Sequence, residues 1–588
     1  MTRTARLFLS AAVLAAGVGA PAAGEPLARV EGVEDAGLRA DLTAALGQAD
    51  GPAEDRWRAR ERAGDAAEHA RAFLRSRGYY AARIDARLDA DGRALIRVRP
   101  GAQFVFDAVR VEFDQPDGAP APGQAVRAAA GLGSGDPATA QSVLDARARI
   151  TAALHESGFP EAAETDYAVT VDHAGDDAEA VFTARTGPFI RFGAAQFAGG
   201  LAELRDGYID RLAPYEIGDP ASRSVLSAYA SRLTALGAVS VADARLAPAS
   251  QAGADGLRPV DVRAEPAPRH RLSGALSWST DEGAGARGSW SRRNLFGGAE
   301  RLTLAGQAAQ LERSVSARYF APHWAAFGQD LTLAAELAQD RTDAFDQDVI
   351  RLDAELSRRF SRKWSASLGA GLQTGEIADA RLERRLTTLT LLAGAVYDGR
   401  DDVLDPREGV YVDLETAPGW ATGDTDVRFV RAALGARYYQ ALGRAFTLAL
   451  RARSGAILGA SAEQAPADVR FYAGGGGSVR GYGYQELSPF EPAPGSGALE
   501  PFGGRSLIET SAELRWRRSE RLGFAAFIDG GAAGPDLEPD FSAMRYGAGV
   551  GVRYYPGFGP IRLDLATPVD RRERDEVVQV YISIGQAF

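Results

Sequence analysis

Two charged residues stand apart from their surroundings. Arg480 lies in the glycine-rich run FYAGGGGSVRGYGYQ (Phe471–Gln485), and Asp529 lies in LGFAAFIDGG (Leu522–Gly531). Consecutive glycines let a segment fold tightly, so this run is able to tuck back against other elements. A guanidinium buried there needs a counter-charge. In the second segment Asp529 shares a face with Gly523, Ala525 and Phe527, opposite Leu522, Phe524 and Ile528. Arg480, with its neighbours Gly481 and Tyr482, is therefore expected to lock onto Asp529. That chemistry is ionic and structural. Candidates for covalent chemistry are absent: the sequence has neither a G-x-S-x-G nucleophile elbow nor a P-loop lysine. His69, His155, His173, His270 and His323 show no zinc-ligand spacing, and without cysteine there is neither a thiolate metal site nor a disulfide. One G-x-G-x-x-G, Gly283 to Gly288, is expected in a short turn between strands, outside the strand–helix context a nucleotide site needs. No enzyme activity, cofactor or metal is expected.

The elements that position these residues fall into three regions. Residues 1–23, MTRTARLFLSAAVLAAGVGAPAA, carry Arg3 and Arg6, a short apolar run from Leu7 to Val18, and an A-x-A pattern at Ala20–Ala22. This reads as a cleaved secretory signal peptide. A repeat follows. Gly78, Gly158 and Gly237 each end a helical stretch and precede a strand, and they are 80 and 79 residues apart. A fixed period of this size marks a repeated domain, and Gly caps a helix at positive φ without a Cβ clash. Each copy reads β-α-α-β-β, closing at LIRVRPG (Leu95–Gly101), VFTARTGP (Val181–Pro188) and VDVRAEP (Val260–Pro266). The copies span residues 24–101, 102–188 and 189–267.

From residue 268 to 588 the pattern has a period of two. RLSGALSWST places Leu272, Leu276 and Trp278 on one face and Arg271, Ser273, Ser277 and Ser279 on the other. VIRLDAELS and LIETSAELRW alternate in the same way, setting Glu509, Ser511, Glu513 and Arg515 opposite Ile508, Ala512, Leu514 and Trp516. Apolar residues outside and charges inside are the signature of a membrane barrel. Sixteen segments are expected, beginning near Arg271 and ending with the one near Val577. An even count returns the chain to the rim where it started. The stretch Gly459–Arg505 is too long for an ordinary connection, which points to function. The net charge of −11 gives no basic footprint for nucleic acid, and Lys363 is the single lysine.

The tandem repeats resemble POTRA domains in element order, length and glycine position. Val479–Tyr482 (VRGY) and Phe527–Gly530 (FIDG) are similar to the paired motifs of the BamA/TamA/two-partner-secretion superfamily, although Ala526 departs from that pattern. RNLFGGAE (Arg293–Glu300), YDGRDDVLDPREG (Tyr397–Gly409), GPIRLDLATP (Gly559–Pro568) and a final YISIGQAF ending in Phe588 extend the resemblance along the chain. The implied fold is three α+β POTRA-like repeats followed by a transmembrane antiparallel 16-stranded β-barrel. Three repeats resemble the TamA-like branch. That branch implies a barrel in the bacterial outer membrane, repeats in the periplasm, unfolded outer-membrane proteins including autotransporters as clients, and a TamB-like periplasmic partner.

The expected mechanism is strand templating. A weak seam between the first and last strands exposes backbone N–H and C=O groups for a client strand. Leu272, Leu276 and Trp278 on one side and Val580, Ile582, Ile584, Gly585 and Phe588 on the other form that seam, with Gly585 allowing a kink. A secretion transporter for one dedicated partner would need an N-terminal plug helix, for which residues 24–30 are too short. A porin would lack the repeats, and lipid transport on the same fold is a further alternative.

Overall fold

A computed structural model describes residues 26–49, 51, 53–199, 203–205, 207–253, 256–279, 283–493, 497–556, 559–584 and 586–588. The expected signal peptide lies outside them, as does Gly585; the side chains of Trp278 and Ile584 are likewise not described.

The first repeat runs β1 (Arg29–Glu31), α1 (Ala36–Leu46), α2 (Arg56–Ser76), β2 (Arg83–Leu88) and β3 (Ala94–Arg99). The second runs β4 (Val105–Asp114), α3 (Gln124–Ala128), α4 (Ala140–Glu156), β5 (Asp166–Asp172) and β6 (Asp177–Arg185). The third has β7 (Arg191–Gly199), α5 (Arg223–Ala235), β8 (Val239–Leu246) and β9 (Leu257–Pro266). Each forms a three-stranded sheet with its last strand in the middle: β1-β3-β2, β4-β6-β5 and β7-β9-β8. The third repeat departs from expectation. Where the others have their first α-helix, its described residues form a 3₁₀ turn, Asp210–Leu212.

Helix starts follow capping chemistry. The side chains of Asp35, Asp55 and Thr139 accept hydrogen bonds from Leu38, Arg58 and Ser142 N–H, satisfying donors that the helix leaves orphaned. Apolar stripes then face the sheets: Ala66, Ala70 and Leu74 of α2 pack with Ile96 and Val98, and Ala146, Ile150 and Leu154 of α4 pack with Phe104, Phe106 and Phe182. The repeat glycines do more than end helices. Gly78 O accepts from Phe104 N at 2.9 Å, and Gly158 O accepts from Ile190 N at 2.8 Å, so each cap also receives the strand that opens the next repeat. Gly158 has φ +95°, and a Cβ there would lie 2.2 Å from the Phe189 ring. Beside it Ser222 and Ser224 donate to the Glu156 carboxylate, with Ser224 N at 3.0 Å.

The second compact unit holds the barrel. Its strands are β10 (His270–Ser279), β11 (Gly283–Arg293), β12 (Arg301–Ala309), β13 (Glu312–Ala321), β14 (Gln329–Arg341), β15 (Phe345–Arg359), β16 (Trp364–Asp379), β17 (Glu383–Asp398), β18 (Gly409–Gly423), β19 (Val427–Leu442) and β20 (Phe446–Leu458). After a small hairpin, β21 (Phe490–Pro492) and β22 (Leu499–Pro501), come β23 (Ser506–Arg517), β24 (Leu522–Gly534), β25 (Arg545–Tyr554), β26 (Ile561–Pro568) and β27 (Gln579–Ile584). Sixteen of these close into an antiparallel barrel, with β20 adjoining β23 and β27 adjoining β10. Gly283–Gly288, expected in a turn, instead begins β11, because its small residues pair with β10 throughout. Leu272 and Leu276 are 83% and 87% exposed, and Val315, Leu337, Ile350 and Leu368 are exposed on the same outer face. An apolar exterior around a charged lumen fits lipid contact. Among the described residues no helix is long and apolar enough to cross a membrane.

Two measurements check the repeat joints. Gly158→Ala is expected to destabilise its region by more than Gly237→Ala. The second substitution meets nothing within 4 Å and costs only left-handed strain, roughly 1–2 kcal/mol; hydrogen exchange across residues 150–240 reads both. Burial raises the Glu156 pKa, but the bonds from Ser222 and Ser224 outweigh it and hold the carboxyl below its ordinary range. Its contribution is therefore complete above the usual glutamate range and lost as pH falls through the lowered value. Glu156→Gln should loosen this joint at neutral pH and change little in strong acid.

Candidate functional site

The segment between β20 and β23 folds into the barrel lumen. A 3₁₀ turn, Ala467–Val469, and the β21–β22 hairpin give it local order. Phe471, Val479, Tyr482 and Leu487 bury against Phe429, Ile457 and Leu507 of the wall. At its base Asp379 of β16 receives two guanidiniums, Arg470 Nη2 at 2.6 Å and Arg384 Nη2 at 3.3 Å. Arg470 Nη1 also donates to Phe502 O at 2.8 Å, which ties both ends of the segment to one point.

Arg480 is 2% exposed. Its Nε and Nη2 reach the two oxygens of Asp529 at 2.7 and 3.0 Å, the bidentate geometry that suits a guanidinium best. Its Nη1 donates to Glu513 Oε2 at 2.9 Å and Asp564 Oδ2 at 3.1 Å, and its guanidinium lies 3.3 Å from the centroid of the Phe527 ring. Arg553 bridges Asp564 and Glu513, while Arg515 Nε donates to Glu513 Oε1 at 2.8 Å. Four elements thus converge, with Glu513 from β23, Asp529 from β24, Arg553 from β25 and Asp564 from β26 meeting the loop arginine. Every member has its charge met by others, which is the condition for burying ions at all.

Glycine makes this approach possible. A Cβ on Gly547 of β25 would lie 1.9 Å from Arg480 O, and one on Gly531 of β24 would lie 2.9 Å from Val479 Cγ2. Gly481 itself has φ +102°, in contact with the Thr567 carbonyl. Tyr581 of β27 joins the same locus: its hydroxyl accepts from Gly481 N at 3.1 Å and donates to Tyr482 O at 3.3 Å. Tyr482 Oη donates to Tyr546 O at 3.1 Å. The loop therefore backs the wall from β23 to β27.

Sequence reasoning set Arg480, Asp529, Gly481 and Tyr482 together, and they lie together here. Glu513 was legible as lumenal by alternation, but its meeting with Asp564 at Arg480 was not, since it depends on cross-strand register. Asp379, Arg384, Arg470 and Tyr581 carried no signal beyond their polarity.

On the seam, β10 pairs with β11 along its whole length but, among the described residues, with β27 only at Trp278↔Ile582 and Ser279↔Tyr581. Val580 pairs with Leu565 of β26, and Leu272 and Leu276 face outward. Ile584 pairs with Ile561 rather than with β10. Phe588, expected on the seam, is elsewhere. Its ring sits 6.5 Å from that of Tyr439, and its carbonyl oxygen accepts from Arg515 Nη2 at 3.3 Å. The arginines of the lumen wall draw it inward, and Gln586 Nε2 donates to Asp405 Oδ1 at 2.7 Å.

RNLFGGAE acquires a local role. Glu300, 2% exposed, accepts from Phe296 and Gly298 N–H and from Arg205 Nη2 at 3.0 Å. Arg205 N donates to Gly297 O at 2.7 Å, and Tyr208 Oη donates to Pro322 O at 3.0 Å. Burial, with Glu300 beside it, pushes the Tyr208 hydroxyl well above its usual pKa, so it remains a donor. Arg205 and Tyr208 are thereby clamped to two barrel turns.

Comparison with known proteins agrees with this architecture. Residues 294–588 match the family described as the Omp85 superfamily domain. The outer membrane protein assembly factor BamA of Nitratidesulfovibrio vulgaris is 26% identical over 339 residues, 54% of this chain and 42% of that protein; the chain thus aligns with less than half of that relative's length. The crystal structure of BamA from Haemophilus ducreyi lacking POTRA domains 1–3 superposes with a TM-score of 0.66 at 15% identity, over 81% of this chain and 99% of that one. CdiB from Acinetobacter baumannii gives 0.47 at 15% identity, over 82% and 91%.

The lock makes two expectations. Arg480→Ala leaves Asp529 without a cation and takes one partner from Glu513 and Asp564, at a cost of about 3–5 kcal/mol. Gly547→Ala should release the loop without altering any charge. Both should open the Phe471–Gln485 segment, which carries Phe471, Tyr472, Tyr482 and Tyr484, to chymotrypsin in the intact barrel; continued protection in Gly547→Ala would count against a lock made by close backbone approach.

Proposed function

Because the chain belongs to the Omp85 superfamily, we propose that it inserts other β-barrel proteins, autotransporters among them, into the outer membrane by pairing their strands at the seam between β10 and β27. The chain is itself an outer-membrane barrel with periplasmic POTRA repeats. One observation supports the seam as the working site: its two sides are held differently. β27 is tied through Tyr581 to the loop that Arg480 anchors, whereas β10, among the described residues, meets β27 at two positions, against ten with β11. An unpaired edge is a template for another strand, and outside-in strand addition satisfies backbone groups that lipid cannot. The relative named as an outer membrane protein assembly factor accords with this reading.

The repeats are proposed to hold unfolded clients, or a TamB-like periplasmic partner, by the same backbone pairing. β1 and β2, β4 and β5, and β7 and β8 are the edges of their sheets and present N–H and C=O groups for it.

A cysteine pair tests the mechanism cleanly because the chain has no cysteine of its own. Trp278→Cys with Ile582→Cys places two thiols at directly paired positions. Oxidation is expected to stop client insertion and reduction to restore it; insertion by the oxidised protein would rule out opening at this seam. Depletion followed by outer-membrane proteomics should show selective loss of barrel proteins. An unchanged barrel complement with altered lipid distribution would favour lipid transport instead.

A further inference from the structure

The lumen wall on the β10 side carries a charge cluster that the lock does not use. Arg271, Arg293, Arg301 and Arg318 line one cavity of about 430 Å³ against β10 to β13. Among the described residues none of the four forms an ion pair. Arg293 Nη1 donates weakly to Pro268 O at 3.4 Å, and Arg301 stacks on Phe320 at 5.2 Å. Of the two acids in the same lining, Glu336 pairs with Arg351 at 3.2 Å and Glu312 accepts from the neighbouring Gln307 at 2.8 Å, so the four arginines outnumber the carboxylates. Four guanidiniums around one space repel each other and favour an anion between them. Their planar forks match a carboxylate.

Strand direction says which carboxylate. β10 leads away from the periplasmic rim at His270, so an antiparallel partner runs back toward that rim and brings its C-terminal end beside Arg271. Continuing the Trp278↔Ile582 register residue by residue puts the partner's backbone opposite Leu272, next to Arg271. This chain does not fill that place, since Gln586 and Phe588 bind Asp405 and Arg515 on another wall. Elsewhere in the lumen Arg515 Nη2 donates to a main-chain oxygen, that of Phe588.

We propose that Arg271 and Arg293, backed by Arg301 and Arg318, form a seat for the C-terminal carboxylate of a polypeptide strand paired to β10. The seat deepens the seam reading and rests on it. It would make the site select strand ends over internal strands, by a charge that only a chain terminus carries at that position.

The test uses full-length protein in phosphatidylcholine vesicles and a peptide of sequence VVQVYISIGQAF, residues 577–588 of this chain, with either a free carboxylate or a C-terminal amide. The free acid should bind about tenfold more tightly, the scale of one charge-assisted contact. Arg271→Gln with Arg293→Gln should erase that preference and leave the amide's affinity unchanged. Equal binding of both forms to the native protein, or a preference that survives the double substitution, overturns the carboxylate seat while leaving strand pairing intact. Binding of neither form overturns the seam reading and the seat with it. Loss of the free acid's advantage on adding phosphatidylglycerol would assign the cavity to lipid phosphate instead.

Discussion

Buried in the lumen, the Arg480 guanidinium has exchanged its hydration for hydrogen bonds to Asp529, Glu513 and Asp564. The exchange is tolerable only because the set is closed. Arg515 and Arg553 take up the remaining charge on Glu513 and Asp564, and Ser511 Oγ donates to Asp529 at 2.5 Å. Removing one member leaves the others uncompensated in a confined space, so the group behaves as one unit. Because its members come from a loop and four successive strands, the same unit decides where the loop lies and how the wall from β23 to β26 is spaced.

That constraint reaches the seam through Tyr581. β27 is the last strand of the barrel, and its lumenal tyrosine ties it to the loop backbone at Gly481 and Tyr482. β10 has no such tie among the described residues; its lumenal side faces unpaired arginines. Among the described residues, the seam thus has one edge held to the loop by a side chain and one that is not. The Glu300–Arg205 and Tyr208–Pro322 contacts hold the turns that follow β11 and β13, so the neighbour of β10 is fixed at one end.

Much of this could be read from residues in order. Alternation gave the lipid face of Leu272 and Leu276 and the lumenal side of Asp529, because period-two patterning survives closure unchanged. Gly78, Gly158 and Gly237 announced three repeats, since a helix cap and a tight joint both demand the same residue. What alternation does not carry is register. Glu513 and Asp564 share Arg480 through offsets between strands that only the closed sheet fixes. Phe588 was misplaced for a related reason: the pattern extends a strand to its last residue, but the interaction with Arg515 and Tyr439 outcompetes pairing with β10. In the third repeat a 3₁₀ turn replaces the first helix, where Pro214 and Gly218 interrupt any helical run.

Strand length varies around the barrel. β15 to β19 have 15 or 16 residues, whereas β26 and β27 have 8 and 6, and β10 to β13 have 9 to 11. At about 3.3 Å per residue and a tilt near 40°, the shortest strands raise an apolar wall of roughly 15–20 Å, well under the usual hydrocarbon thickness of about 30 Å. Lipid beside the seam must compress to match, at a cost of fractions of a kcal/mol per Å, whereas lipid on the opposite side need not. The barrel therefore acts on its solvent: the membrane is thinnest beside β26 and β27, and a polar segment crossing there has the least hydrocarbon to traverse.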